Sequence, residues 1–181
     1  RKKCGVSLLF GAEVNILDGT GAVDLSPATM KELDFTIASQ HPGCFENMGE
    51  RSNTMALVGA MKNPYVNIIG HPDDEKYPLN YHMLTDAAKE YNVFLEVNNA
   101  SLSPEGYRGA ARERYAEMLA LCRQKGVAVT FGSDSHGRKH VGDFTYCLQL
   151  TEALHFPKEL IANYDVNNFF VQVKKHRELT K

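Results

Sequence analysis

The chain has 181 residues, 43% of them hydrophobic and 23% charged, with a formal net charge of −2. That length and composition support one substantial core and exclude disorder over most of the chain. The charge excludes a global field that would draw in DNA or RNA, and no run approaches the ~20 apolar residues of a membrane span.

In chain order, the start RKKCGVSLLFGAEV imitates a signal peptide, but its apolar run is short and Glu13 ends it. Residues 6–16 are therefore expected to form a buried first strand. Ser26 followed by Pro27 reads as an N-cap with proline at the first helical position. Residues 35–39 form a short strand before His41. Residues 52–61 form a helix stopped by Lys62-Asn63-Pro64, and 66–69 a strand that ends at Gly70-His71. A helix over 81–91, a strand over 93–97 and a breaker-rich loop over 98–109 follow. Residues 110–125 carry the clearest helical pattern, with Tyr115, Met118, Leu119 and Cys122 at three- and four-residue spacing and Gly126 past the end. A strand over 127–131, a helix over 144–154, a brief strand at 160–161 and a helix from about Val166 complete the chain.

The strands are short continuous apolar runs, which favours a parallel sheet buried on both faces. Repeated βα units leave two architectures, an open doubly wound sheet or a closed or distorted barrel. Residues 1–181 are expected to form a single α/β domain. Cys4, Cys44, Cys122 and Cys147 make no CxxC pair and are expected to be buried free thiols in a reducing cytoplasm, with Cys44 packed near His41.

Chemistry gathers at the strand ends. Glu13, His41, His71 and the Asp134/His136 pair each sit at or just past an apolar run. Parallel strands would carry all five to one rim, which tilts the architecture toward a barrel and the function toward metal-assisted hydrolysis. Glu13 interrupts an apolar stretch, so its carboxylate needs a cation, a hydrogen-bond network or solvent. His41 and His71 share a strand–histidine–proline pattern. Asp134 and His136 are two apart and would point the same way in extended chain. Asn98 and Asn99 follow a strand and can donate to substrate oxygens, while Arg51, Arg108 and Arg138 offer forks that match phosphate. The acidic run Asp73-Asp74-Glu75 reads as a solvated loop. No phosphate-binding P-loop, dinucleotide fingerprint or nucleophile elbow is present.

The segments GAEVN, IASQHPG, IIGHPDD, LEVNNASL and TFGSDSH, in that order, resemble the PHP (polymerase and histidinol phosphatase) superfamily, closest to its stand-alone YcdX-like phosphatase branch. The resemblance runs from about Val6 to the last helix. It implies a distorted (β/α)7 barrel whose rim binds two or three divalent metal ions, commonly zinc, manganese or iron. It implies Glu13 as a bridging ligand and His41, His71, Asp134 and His136 as further ligands, with Asn98 and Asn99 at a substrate-contacting segment. The superfamily opens with an H-x-H motif, and this chain has no histidine before His41. The first βα units of the barrel are therefore expected to lie outside it.

The function expected on this basis is hydrolysis of phosphate monoesters by a metal-bound hydroxide, with Asp134 as a catalytic group and Arg51 or Arg138 clamping the phosphate. The partner is a small phosphorylated substrate in the cytoplasm, with no membrane and no nucleic acid; a homo-oligomer is left open. Two alternatives stand beside it. One is phosphodiester or exonuclease chemistry on the same metals; the other is an incomplete barrel that acts only by association.

Overall fold

The computed structural model describes residues 2–3 and 5–180, so Cys4 lies outside the described residues. Five parallel strands form the central sheet in chain order: β3 (Gly11–Asn15), β4 (Phe35–Ser39), β5 (Ile68–Ile69), β6 (Phe94–Asn98) and β7 (Val129–Gly132). The expected parallel α/β sheet is present. Among the described residues β3 and β7 are its outer strands, so the sheet is open.

Strand alternation divides the side chains between two faces. Val14, Ala38, Ile69, Leu95, Val97 and Val129 pack under α2 (Glu50–Met61), α3 (Tyr81–Tyr91), α5 (Ala111–Lys125) and α6 (Thr145–Ala153). On the other face the register aligns Glu13 with Ile37, Ile37 with Ile68, and Ile68 with Phe94. The last helix, α7 (Val166–Leu179), covers part of that face: Phe169 stacks on Phe94 at 5.1 Å between ring centroids and meets Phe35 edge-on at 5.7 Å.

Local chemistry fixes the helix ends as the sequence indicates. Ser26 Oγ accepts from Thr29 N at the start of α1 (Pro27–Lys31), and Gly126, at φ 66, ends α5. The helix over 81–91 falls where its pattern places it.

Four expectations are corrected. Residues 6–16 are not one buried strand: β1 (Lys2–Lys3) and β2 (Val6–Ser7) form an antiparallel ribbon, and β3 starts only at Gly11. Val6, Leu8, Leu9 and Phe10 are all at least 40% exposed. The strand at 160–161 reduces to one bridge, Ile161 to Val129, between two 3-10 turns. The Asn163 amide takes the place of a neighbouring backbone there, accepting from Phe131 N at 2.6 Å and donating to Phe131 O at 3.1 Å. Residues 98–109 include a short helix, α4 (Asn99–Leu102), capped by Asn98. Of the thiols, Cys122 and Cys147 are buried, but Cys44 is exposed in the turn after His41 and is not packed.

His176 fastens α7. It is fully buried, with Nδ1 2.6 Å from Tyr91 O, at the end of α3, and Nε2 2.9 Å from Asn63 O, just past α2. His176→Leu would leave two part-buried carbonyls without that partner and an apolar side chain facing them. The expected cost is roughly 2–4 kcal/mol, read as a lower urea midpoint.

Candidate metal centre

The C-terminal ends of β3, β4 and β5 meet at one rim. Glu13 lies within β3, Ser39 ends β4 with His41 two residues on, and His71 follows β5 after Gly70. Glu13 Oε1 is 3.4 Å from His41 Nε2 and 3.2 Å from His71 Nε2, and the two imidazole nitrogens are 3.0 Å apart. All three donor atoms lie within 4.8 Å of one another.

Each donor is oriented by a neighbour. Ser39 Oγ donates to Glu13 Oε1 at 2.6 Å. His41 Nδ1 contacts Asn15 Oδ1 at 2.7 Å, and Asn15 Nδ2 donates to Asp24 at 2.5 Å. Since Asn15 turns its oxygen to His41, Nδ1 carries a hydrogen, and Nε2 is the atom the ring turns to the cluster. This chain of outer partners is how proteins set the ligating nitrogen of a histidine. His71 has φ 27, in the left-handed region that non-glycine residues seldom adopt, and its backbone N–H donates to Glu96 Oε2 at 2.7 Å. Pro72 keeps the preceding residue from the ordinary helical conformation.

The electrostatics follow from burial and pairing. Burial alone would raise Glu13, but hydrogen bonds from His41, His71 and Ser39 hold it well below the usual carboxylate range. For His71 burial works toward a lower pKa, but its hydrogen bond to Glu13 and the nearby carboxylates outweigh this and raise it. Glu96 is pushed up by burial.

Asp134 and His136 are not part of that cluster. Asp134, at φ 49, accepts on Oδ2 from Asn98 Nδ2 at 3.1 Å and pairs with Arg108 Nη2 at 3.1 Å. Asn98 Nδ2 also lies 3.3 Å from Glu96 Oε2, so Asn98 and Glu96 tie the Asp134 group to the backbone of His71. The His136 side chain is 89% exposed and contacts Asp134 O through Nδ1 at 3.0 Å. Two non-glycine left-handed residues, His71 and Asp134, thus sit at candidate site positions, where such strain tends to collect.

Of the remaining candidates, Asn98 faces a cavity of about 470 Å³ that Glu13, Glu96 and Asp134 also line. Asn99 Oδ1 instead caps α6, accepting from Tyr146 N at 2.9 Å and Cys147 N at 3.1 Å. Arg51 and Arg138 are exposed and line neither that cavity nor the neighbouring one on the other side of Asp134. The Asp73-Asp74 pair is buried rather than solvated; Tyr115 donates to Asp73 Oδ1 at 2.5 Å beneath the site.

Sequence reasoning missed Asn15, Ser39 and Glu96. Signals for them existed. Asn15 is two residues from Glu13 and Ser39 two from His41, hence on the same strand faces. Glu96 interrupts an apolar run just as Glu13 does.

The fold and site define an α/β protein with a carboxylate–imidazole–imidazole centre at the ends of parallel strands. The chain is 37% identical over 179 residues to a protein of Clostridium novyi named as a probable phosphatase, covering 99% of this chain and 72% of that one. It is 41% identical over 177 residues to a probable phosphatase of Caldanaerobacter subterraneus, covering 96% and 68%, and 37% identical over 179 residues to one of Clostridium acetobutylicum, covering 99% and 72%. The chain belongs to this phosphatase family. No family model matches it. No helix among the described residues is long and apolar enough to cross a membrane.

Proposed function

We propose that the protein is a metal-dependent hydrolase of phosphate monoesters of the PHP type, and that its sheet is a portion of a distorted (β/α)7 barrel working as one domain. The observation that carries this reading is the convergence of Glu13, His41 and His71 in a chain whose relatives are named phosphatases. In-order parallel strands with polar groups at their C-terminal ends support the barrel.

A carboxylate and two imidazoles are donors suited to zinc, manganese or iron. Glu13, His41 and His71 would hold one ion, and Asp134 and His136 would complete a set of two or three from the adjoining loop. When bound, such ions supply Lewis acidity toward the phosphate and activate water near neutral pH. The chain's own residues do the rest. Asn15 and Asp24 hold His41, and Ser39 orients Glu13. Asp134 orients the attacking water, and Asn98 contacts a small phosphorylated substrate in the cavity.

The test is turnover of a phosphomonoester panel with added Mn²⁺ or Zn²⁺ and after chelation. Hydrolysis is expected only with metal and is expected to vanish in Asp134→Ala and His136→Ala; turnover by the metal-free protein would overturn the reading. Metal affinity has a signed pH dependence. Glu13 holds a proton on His71 above the ordinary histidine range, and metal must displace it. Affinity should therefore keep climbing with pH past that range, by about tenfold per unit for each proton released.

A further inference from the structure

Arg108 has no part in the metal cluster, yet it is among the most constrained side chains near the site. It is 5% exposed, although a buried guanidinium is tolerated only when its donors are satisfied. Its fork is shared: Nη2 reaches Asp134 Oδ2 at 3.1 Å, and Nη1 reaches Ser101 Oγ at 2.8 Å and Asn98 Oδ1 at 3.5 Å. Its backbone is fixed as well, since Arg108 O accepts from Glu75 N at 3.2 Å and Arg114 Nη1 at 3.4 Å. The next residue, Gly109, has φ 81, a conformation that a side chain would strain. The bonds from Arg108 and Asn98 both end on Oδ2 of Asp134, so neither occupies Oδ1.

We propose that Arg108 is a positioning residue: it clamps one oxygen of Asp134 so that the other is presented to the reacting phosphate's site in a single orientation. Buried so deeply, Arg108 has too little access to bind phosphate itself. It acts through a carboxylate held at an unfavourable φ that would otherwise relax. Lysine cannot replace it, because one ammonium on a flexible stem does not span Asp134 and Ser101 with fixed geometry. This role rests on the proposed phosphatase reading, in which Asp134 serves the reaction.

The experiment compares wild type, Arg108→Ala, Arg108→Lys, Ser101→Ala, Asp134→Asn and the Arg108→Ala/Asp134→Asn double variant. Readouts are p-nitrophenyl phosphate turnover with Mn²⁺, Mn²⁺ affinity, and melting of the chelated protein. Arg108→Ala is expected to lower kcat by about 10–100-fold with KM nearly unchanged, the usual size of an outer-partner loss. Arg108→Lys should fail to restore it, added methylguanidinium should restore part of it, and Ser101→Ala should cost less. The double variant should be no slower than Asp134→Asn, and the two substitutions should be non-additive in melting without metal. An active wild type whose Arg108→Ala and Arg108→Lys variants keep their kcat overturns the role of Arg108 alone, as does strict additivity with Asp134→Asn. A wild type that neither binds Mn²⁺ nor cleaves the ester overturns the phosphatase reading, and this role with it.

Discussion

Glu13→Gln is expected to abolish metal binding and phosphatase turnover while leaving the protein folded. The substitution keeps the shape of the side chain and removes its charge. Glu13 is the only anion among the three converging donors, and its Oε1 is the shared acceptor for Ser39 and both imidazoles. A divalent cation at this point would then meet two neutral rings and an amide. The expected loss in kcat/KM is on the order of a thousandfold or more, corresponding to about 4 kcal/mol of lost electrostatic stabilisation. Glu13 is 37% exposed at its side chain, so no core packing depends on it and melting should change little. Isothermal titration with Mn²⁺, together with phosphomonoester turnover, checks both halves. A Glu13→Gln variant that still binds metal within tenfold of wild type would remove Glu13 from the centre.

Gly132→Ala is expected to be the most damaging single methyl group near the site. Gly132 has no positive φ, so the backbone itself would accept alanine. Space forbids it: a Cβ there would overlap Glu96 Oε1 and lie 2.8 Å from Glu96 Cδ. Glu96 is 6% exposed and cannot swing into solvent, because it accepts the His71 backbone N–H at 2.7 Å and a bond from Asn98. Displacing it leaves a buried donor unpaired and frees His71 from its left-handed conformation. Overpacking and the lost hydrogen bond together are expected to cost about 3–5 kcal/mol. Urea unfolding measures that cost, and metal affinity should fall with it because His71 moves. Wild-type stability in Gly132→Ala would show that Glu96 is free to move and is not what fixes His71.

How much of the site could be read in advance depends on the kind of interaction. Glu13, His41 and His71 were legible because each places a polar group at an apolar run, and the parallel order of the strands made their meeting a topological consequence. Asp134 and His136 share a motif and stay close in space, with His136 Nδ1 3.8 Å from Asp134 Oδ1, yet the pair stands apart from the Glu13 cluster. The chain bends at a left-handed Asp134, and the Asp134 carboxylate is held by Asn98 and Arg108 rather than by the three converging donors. Arg51 and Arg138 looked equivalent to Arg108 in sequence. Only packing distinguishes the exposed pair from the buried clamp, because the guanidinium's partners come from α4, from β6 and from the loop after β7. Asn99 looked like a substrate contact, but its carbonyl was needed at the start of α6.

The amino-acid order by itself determined the places of the five sheet strands and the longer helices, the parallel sheet and the three strand-end donors, since hydrophobic period, caps and breakers act within a few residues. Tertiary structure alone decided which nitrogen His41 presents, that Glu96 and Arg108 underlie the site, and that the apolar start is left exposed. Those outcomes depend on hydrogen bonds and contacts between residues 25 or more positions apart, whose partners no local pattern specifies.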